Sequence, residues 1–500
     1  MKITSPALGT SHLTANERAL ISCQTALELR DKGDYGAARE VMVSLWRRVG
    51  EYPNVKGLHI SVAAEVLICV GILTSWVGSK EGIEEAQEVA KNLISEGITF
   101  YESAGDVKKI AAARAELAYC YFREGAFDEA RIMLTAAIQK LTTEGNTRAR
   151  ALLKLTTVEW AASRYNVALE ILNDNAYLFK KISNHTIKAN YHNEFAIVLR
   201  HLAKSDLLKR ENLLQQAVSE FERADHHLQL AKNKVFRASV KNNVGLILFN
   251  LSRFKEAHRY LEEARRLTIS IRNKVQTAEI DESRAQVFIA EKKYKEAESV
   301  AKSAVRVLER SGQQCLLADA LITQGIALSR LKRAEHAQFI FQKAIEVAHQ
   351  VGALNKAGLA ALTLIEEIDE LSADTLCAAY DHASEWLASS QSQDLLLRVN
   401  EAARKVFSRM RCELRTEAAP AAISIEGLLN KPCDLPSEVL KFEGSLIRQA
   451  LAKANGSLTR AASLLSMSYQ ALAYILESRH KDLLKERSPI RRRSRREAAP

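Results

Sequence analysis

The distribution of proline constrains this chain more than any other feature of its sequence. No proline occurs between Pro53 and Pro420, and five of the seven prolines of the 500-residue chain fall at or after Pro420. Proline in a helix interior costs about 3 kcal/mol, so a proline-free span of this length is typical of nearly continuous helix. We therefore predict an all-α fold, built as several domains or as one extended array.

A short pattern of aromatic and small residues recurs along the proline-free span. In five segments an aromatic residue is followed three positions later by alanine: Tyr35 and Ala38, Phe127 and Ala130, Tyr165 and Ala168, Phe254 and Ala257, Tyr294 and Ala297. Further small residues recur twelve positions before these alanines and seven after them. Where antiparallel helices cross closely, only Gly or Ala lets the backbones approach, while an aromatic ring fills the space at the turn. The pattern predicts repeated helical hairpins.

The order small, aromatic, small, small resembles the tetratricopeptide-repeat family, and the match covers roughly residues 14–410. The resemblance implies about nine helical hairpins, stacked into a solenoid that has a concave groove. The spacing between Ala217, Ala257, Ala297 and Ala337 is 40 residues. The family's usual period is about 34 residues, so the longer spacing predicts longer helices or longer turns.

The resemblance also implies that the groove binds a protein, a peptide or a small effector, without deciding among them. Amide side chains suited to clamping an extended peptide backbone occur at Asn190, Asn193, Asn242 and Asn243. The same positions are equally compatible with ordinary exposed polar residues, so both interpretations stay open.

The sequence contains none of the catalytic motifs that we sought. Phosphate-binding loops, nucleophile elbows, zinc-protease motifs and dinucleotide fingerprints are absent, so we expect no enzyme activity, no cofactor and no metal. Seven scattered cysteines without a CxxC pair predict buried thiols in a reducing cytoplasm. The most apolar run, residues 66–73, is shorter than the ~18 residues that span a bilayer, so we predict a buried helix face and no membrane partner.

Positive charge is concentrated at the C-terminal end of the chain. Residues 437–500 carry 13 Lys or Arg against 6 Asp or Glu, which is +7 of the net charge of +11. A polyanionic partner, if there is one, belongs at this end. Residues 411–436, which contain three prolines, predict a linker, and we expect residues 1–13 and the basic tail, residues 485–500, to be disordered.

Three short helices are predicted after this linker. Ser437, Ser457 and Ser468 are suitable N-caps, and Gly456 is suited to end the first helix. A turn at Ser466 joins the second and third helices. Two short capped helices with a tight turn between them form a helix-turn-helix arrangement.

Residues 437–484, with the sequence GSLTRAASLL at 456–465, resemble the Fis-type DNA-binding domain that also occurs at the C-terminus of NtrC-like activators. In that family the start of the second helix contacts phosphates, the third helix enters the major groove, and the first helix mediates dimerisation. The resemblance therefore implies a homodimer with DNA as its partner. It implies DNA contacts by Ser457, Thr459, Arg460, Ser468, Tyr469, Gln470, Ala473 and Tyr474.

The expected recognition face departs from the family pattern. Arginine is usual where this chain has Tyr469, and basic residues are usual where it has Ala473 and Tyr474. Because phosphate contacts supply much of the affinity for DNA, this helix alone should bind weakly. We expect compensation from arginines of the tail, which can enter the minor groove or pair with phosphates: Arg491, Arg492, Arg493, Arg495 and Arg496.

Two main functions are compatible with this organisation. One is a cytoplasmic, non-enzymatic transcriptional regulator in which the repeat array binds a partner or effector and the helix-turn-helix binds DNA. The alternative is an adaptor or scaffold whose degenerate helix-turn-helix serves only for dimerisation or protein docking. An RNA-binding protein is a third interpretation that depends on the basic tail alone.

Overall fold

The computed structural model describes residues 13–486 except 82, 84, 144, 207, 389–392 and 418–433. Throughout the described residues the regular secondary structure is helical, which confirms the all-α prediction. The chain divides into two compact units, Met1–Ala402 and Ala403–Pro500, which we consider separately.

The first unit is a tetratricopeptide-like array of antiparallel helical hairpins. The first hairpin pairs α1 with α2, and the pairing continues along the chain, with one short extra helix, α9, after the fourth hairpin. In chain order the helices are α1 (Ala15–Asp31), α2 (Tyr35–Met42), α3 (Ile60–Glu81), α4 (Ala86–Ser103), α5 (Val107–Arg123), α6 (Phe127–Lys140), α7 (Asn146–Ala161), α8 (Tyr165–Asp174), α9 (Ala176–Lys181), α10 (His185–Ser205), α11 (Arg210–Leu230), α12 (Lys234–Asn250), α13 (Phe254–Ser270), α14 (Lys274–Ala290), α15 (Tyr294–Leu308), α16 (Gln314–Arg330), α17 (Ala334–Gln350), α18 (Leu354–Glu367), α19 (Ala373–Trp386) and α20 (Gln393–Glu417).

The recurring aromatic and small residues occupy the same place in successive hairpins. Tyr35, Phe127 and Phe254 are each the first residue of a second helix, half-buried at the turn, as the pattern predicts. The alanines that follow lie where the two helices of a hairpin cross. Fully buried alanines of this set are Ala38, Ala130, Ala168, Ala257, Ala297 and Ala337.

Helix length accounts for the 40-residue period. α12, α13 and α14 each have 17 residues, and three residues connect each to the next helix. One residue of each connection adopts the left-handed conformation, at 20-residue intervals through Lys232, Ser252, Arg272, Lys292, Gly312, Lys332 and Gly352. Of the two predicted causes, the structure thus selects longer helices rather than longer turns.

The turn that follows α1 contacts helices far along the chain. Arg150 of α7 donates a hydrogen bond from Nη2 to Asp31 Oδ2 (2.6 Å), and Asn233 Nδ2 donates to the Asp31 carbonyl (3.2 Å). A Cβ atom added to Gly33 would lie 3.3 Å from Val235 Cγ1. The array therefore curves enough for its first hairpin to contact the start of its sixth. We call these contacts the Asp31 bridge.

The apolar run in α3 is buried within the array, as predicted. By length and composition Ile60–Ser79 is nevertheless apolar enough to cross a membrane, with a mean hydropathy of 2.0, so the expectation that no such stretch occurs was wrong. Two-thirds of its most apolar window is buried inside the array, as in the core helix of a folded protein.

The prediction of buried thiols is correct only in part. Cys23, Cys69 and Cys120 are buried, whereas Cys315 is exposed and Cys377 is half-buried. The side chains of Cys412 and Cys433 lie outside what the structure describes.

α20 begins in the first unit and ends in the second, at Glu417, so the predicted end of the array at residue 410 falls within a helix. The sequence explains why the helix continues beyond residue 410, since the next proline is Pro420. The second unit then contains α21 (Leu435–Lys453), α22 (Leu458–Leu464), α23 (Tyr469–Ser478) and a 3₁₀ helix, Lys481–Glu486. Its core combines apolar residues from all four: Ile447, Ala450, Leu451, Ala454, Leu458, Ala461, Ala462, Leu472, Leu476 and Leu483.

Candidate DNA-binding site

The first helix of the second unit begins earlier than predicted. α21 starts at Leu435, with Asp434 in the N-cap position, so the prediction of Ser437 as the N-cap is wrong. Pro436 lies in the first turn, where its missing N–H has no intrahelical partner to lose, and the helix passes through it. The helix ends as predicted, since Gly456 has φ 77° and its N–H donates to the Leu451 carbonyl (2.8 Å).

A tight turn connects α22 and α23. Ser457 occupies the predicted N-cap position of α22, although its side chain makes no capping hydrogen bond. Ser466 is left-handed (φ 53°), and the next N–H, of Met467, donates to the Ala462 carbonyl (3.0 Å). The fully buried Ala461 lets the two helices cross closely. The arrangement is that of a helix-turn-helix.

The third helix presents its N-terminal half to solvent. Ser468 Oγ accepts a hydrogen bond from the Ala471 N–H (3.1 Å), which confirms Ser468 as the N-cap of α23. Leu472 and Leu476 are fully buried and fix the inward face of the helix. Of the predicted DNA-contacting residues, Ser457 and Ala473 are half-buried, whereas exposed positions are held by Thr459, Arg460, Ser468, Tyr469, Gln470 and Tyr474.

The exposed face of α23 contains no basic residue. Tyr474 is 69% exposed and Tyr469 45%, so both rings are available for contacts. Exposed cations that the sequence analysis did not single out are Lys453, Lys481 and Lys485, which have no ion pair within the described part of the chain. In the sequence, these lysines could have been identified as candidate DNA contacts only by their positions at the ends of helices. The predicted DNA contacts at Arg491, Arg492, Arg493, Arg495 and Arg496 lie outside the described residues.

The apolar residues of α21 lie on two different faces of the helix. Ile447 and Leu451 are buried in the core of the second unit, whereas Val439, Phe442 and Leu446 are 56%, 49% and 42% exposed. The exposed residues follow the i, i+3, i+7 spacing of one helix face. We call them the α21 stripe. A helix of one small unit buries only one side, so this stripe is free to contact another molecule.

Polar contacts connect the residues at the C-terminal end of α23 to α21. His480 is buried, and its Nε2 atom lies 3.0 Å from Glu443 Oε2. Arg479 also lies near this carboxylate, with Nη1 3.4 Å from Oε1. Gly444 permits the approach, since a Cβ atom there would be 3.0 Å from the His480 ring. These contacts hold α23 in a fixed orientation on α21.

The asparagines proposed for the groove of the array divide into two groups. Asn190 and Asn193 line a cavity on the inner side of the first six hairpins. Asn242 is instead buried, with an unpaired Oδ1 atom, and Asn243 is half-buried away from that cavity. Among the residues that the structure describes, no group of three or more His, Cys, Asp or Glu side chains is placed to hold a metal ion.

Comparison with known families identifies the helix-turn-helix. Residues 439–477 match the family described as "Bacterial regulatory protein, Fis family". This match covers the three helices whose geometry is given above, and it confirms the resemblance inferred from the sequence. A comparison with curated protein sequences found no match.

Comparison with solved structures concerns the repeat array. The chain is similar to a Signal Transduction ATPase with Numerous Domains (STAND) protein with a tetratricopeptide repeat sensor from Pyrococcus horikoshii, with a TM-score of 0.50 and 14% identity. The match covers 73% of this chain and 54% of that protein, so the chain spans about half of its length. The similarity shows a tetratricopeptide-like fold.

Two other similar structures have TM-scores of 0.46. The apo form of the quorum sensor NprR from B. thuringiensis is 13% identical, over 68% of this chain and 90% of that chain. Yeast Tom70 is 11% identical, over 81% of this chain and 85% of that chain.

Proposed function

We propose that this protein is a DNA-binding transcriptional regulator, non-enzymatic and cytoplasmic, whose repeat array binds a protein, peptide or effector. The observation that supports this proposal best is the geometry of α23. It is capped by Ser468, held from behind by Leu472 and Leu476, and exposed along its N-terminal half. This is the presentation that a recognition helix needs to enter a major groove.

Each exposed group has a role suited to its chemistry. The hydroxyl of Thr459 and the guanidinium of Arg460, at the start of α22, are suited to phosphate contacts that set the register on DNA. The amide of Gln470 can form two hydrogen bonds with adenine in the major groove. The rings of Tyr469 and Tyr474 offer apolar contacts and hydroxyl groups beside it.

The α21 stripe supports a homodimer. Burying the exposed parts of Val439, Phe442 and Leu446 against a second copy removes apolar surface from water, which favours association. A two-fold dimer presents two copies of α23, and such dimers read pseudo-palindromic sites with half-sites about 10 bp apart. The basic tail then adds phosphate or minor-groove contacts that α23 itself does not make.

The alternative function is an adaptor that uses its helix-turn-helix only for dimerisation or protein docking. The observation that favours it is the same exposed face of α23, which combines Tyr469 and Tyr474 with Glu477 and contains no cation. A face of this composition suits a protein partner better than a polyanion.

The test is a fluorescence-anisotropy titration of the full chain with genomic fragments in the presence of non-specific competitor DNA. Arg460→Gln removes one phosphate contact and should weaken binding to all sequences by a similar factor. Arg310→Gln, which alters an exposed arginine of the array, is the matched control and should change nothing. If the unaltered chain binds no duplex DNA even at low salt, the adaptor function replaces the regulator.

A further inference from the structure

A cavity of about 270 Å³ lies on the inner side of the first six hairpins. Its walls come from α1, α3, α5, α7, α10 and α12, together with the start of α2 and Leu228 of α11. This volume approaches the roughly 300 Å³ at which pockets for small molecules begin. No residue of the helix-turn-helix contributes to it, so the cavity is a site distinct from the DNA-binding surface.

The Asp31 bridge bounds this cavity. Asp31 contacts α7 through its carboxylate and α12 through its carbonyl, so the end of α1 lies across the groove instead of leaving it open. A second cavity, of about 390 Å³, adjoins the first and shares Arg30, Asp31, Glu116, Arg150 and Lys154 with it. A cavity of this volume that is bounded by the Asp31 bridge suits a compact ligand better than a long extended chain.

One wall of the cavity is aromatic. Trp76 stacks with Tyr35 (ring centroids 6.2 Å apart) and with Tyr119 (5.7 Å). All three rings are half-buried and line the cavity. Arg123 lies over two of them, its guanidinium carbon 4.1 Å from the Trp76 centroid and 5.2 Å from the Tyr119 centroid. Such a wall favours a flat, conjugated ligand.

Arg123 lies against the rings of Trp76 and Tyr119 without itself lining the cavity, and it has no carboxylate partner among the described residues. Within the described residues it forms no ion pair, and its buried Nε atom has no hydrogen-bond partner. Burial lowers the pKa of this guanidinium. A half-buried cation without a counter-charge carries a desolvation cost, and an anionic group bound beside it offsets that cost.

Counting Arg123, which lies against two of the lining rings, the cavity region has four cations and three carboxylates. Asp31 is shared by Arg30 (2.7 Å) and Arg150 (2.6 Å), whereas Glu116 pairs with Lys154 (2.6 Å). Two of the carboxylates therefore pair with three of the cations.

Glu194 does not reverse this excess. Its Oε2 atom accepts hydrogen bonds from Trp160 Nε1 (2.7 Å) and Thr157 Oγ1 (3.2 Å), and burial raises the pKa of its carboxyl group. With Arg123 included, cations exceed carboxylates by one when Glu194 is ionised and by two when it is protonated. The exposed amide of Asn190, which has no hydrogen bond within the described residues, adds a neutral donor and acceptor.

We propose that this cavity binds a small molecule in which a flat conjugated ring carries an anionic group, a carboxylate or a phosphate. The ring packs against the wall formed by Tyr35, Trp76 and Tyr119, and the anion lies near Arg123 and Arg150. This inference rests on the proposed sensor role of the array and names its ligand class. Its test measures ligand binding alone, so it fails or succeeds separately from DNA binding.

The experiment is isothermal titration calorimetry of the full chain with three indoles of similar shape. Indole-3-carboxylate carries the anion, indole-3-carboxamide is neutral, and tryptamine is a cation. We expect the carboxylate to bind and the carboxamide to bind about tenfold or more weakly, since the lost charge-assisted hydrogen bond contributes that much. Tryptamine should bind more weakly still. Equal affinity of the acid and the amide, or stronger binding of tryptamine, would overturn the proposal.

Variants locate the binding site. Arg123→Gln and Trp76→Leu should each weaken indole-3-carboxylate binding about tenfold. Arg259→Gln is the matched control, because Arg259 also lies over a ring, that of Tyr260 (5.0 Å), but outside the cavity. Circular dichroism checks that each variant is folded, and Arg123→Gln removes no ion pair on which folding depends. Unchanged affinity in both cavity variants contradicts the site.

A peptide probe separates the two ligand classes. An acetylated, amidated pentaglycine offers backbone amides without a ring or a charge. If it binds to the full chain, Asn190→Ala abolishes its binding, and indole-3-carboxylate does not bind, then the cavity is a peptide site and the proposal is wrong. Absence of pentaglycine binding together with carboxylate binding supports the proposal.

Discussion

Gln470 lies exposed in the first turn of α23, where its amide can donate to and accept from the same adenine. We predict that Gln470→Ala removes discrimination at one base pair per half-site, by about 1–3 kcal/mol, while affinity for other sequences changes little. Competition binding of the full chain against singly substituted sites measures this. A loss of the same size on every sequence would show that Gln470 does not read bases.

His201 is a residue whose environment makes the array sensitive to acid. Its ring stacks with those of Tyr165 (centroids 4.9 Å apart) and Trp160 (5.7 Å). Burial lowers the pKa of His201 to about 4, with smaller contributions from the charges of Arg200 and Lys204. In the unfolded chain the same ring titrates near 6.5, so between these values the unfolded state binds more protons. His201 therefore destabilises the fold as pH falls from about 6.5 towards 4.

We predict that His201→Phe reduces this loss of stability. Phenylalanine keeps a ring between Tyr165 and Trp160 but takes up no proton. The urea midpoint of the variant should fall less between pH 7 and pH 4.5 than that of the unaltered chain. His349→Phe, at a ring stacked with Trp386 (5.1 Å), is the control for replacing a stacked histidine. An equal decrease in the unaltered chain and in His201→Phe would contradict the assignment.

At the scale of elements, the turns between 17-residue helices store backbone strain. Lys292 has φ 61°, whereas Gly312 fills the same left-handed position one helix later without strain. A side chain in this conformation costs roughly 1–2 kcal/mol, and glycine avoids that cost with some loss of backbone entropy. Lys292→Gly should stabilise the array by about 0.5 kcal/mol, and Gly312→Ala should destabilise it by about 1 kcal/mol.

Urea unfolding of both turn variants measures these changes in stability. No heavy atom lies within 4 Å of a Cβ atom added at Gly312, so packing does not obscure the effect of the backbone. Opposite signs for the two substitutions are the expected result. Destabilisation by Lys292→Gly would show that entropy outweighs strain at this turn.

The α21 stripe predicts the oligomeric state. Phe442→Glu places a charge in the centre of the exposed apolar face and should convert a dimer into a monomer, because an unpaired charge cannot be buried cheaply. Light scattering of the full chain at micromolar concentration is the measurement. Ile132→Glu, which alters an exposed apolar residue of the array (65% exposed), is the control. If the unaltered chain is itself a monomer, the stripe is not a dimer interface.

The positions of the hairpins could be predicted from the sequence because several hairpins repeat the same buried alanine and half-buried aromatic residue. Ala257 and Ala297 are 40 residues apart because each hairpin consists of two long helices and two short turns. The start of α21 was predicted wrongly because serine after proline resembles an N-cap, although proline is itself acceptable in the first turn of a helix. The local sequence pattern therefore predicts that a helix is present more accurately than it predicts the residue at which the helix begins or ends.

For the whole molecule, we predict that the basic tail sets how DNA binding depends on salt concentration. Each phosphate that a side chain neutralises contributes about 0.9 to the slope of log K against log salt. Deleting Arg487 to Pro500 should lower this slope by roughly 2–5 per subunit, while base preference, which resides in α23, is retained. Anisotropy titrations at several salt concentrations measure both. An unchanged slope and affinity would exclude the tail from the interface.

The cavity shows why a ligand site was harder to predict than the fold. Asn190 and Asn193 were identified from the sequence because an amide suggests recognition wherever it lies. Trp76 and Arg150 were not, since they come together only through the curvature accumulated over several hairpins. That curvature is set by small rotations between neighbours, which no single repeat of the sequence encodes.

The Asp31 bridge also has a consequence for how the array folds. In an open solenoid each repeat contacts only its neighbours, so the terminal hairpin is free to fray. Here the Asn233 side chain caps α12 and also donates a hydrogen bond to the carbonyl of Asp31, which lies 202 residues away in sequence. We expect this contact to form after the intervening hairpins have stacked, because closing a loop of this length in the unfolded chain has an entropic cost. The amide protons of the N-terminal hairpin should then exchange in step with those of α12.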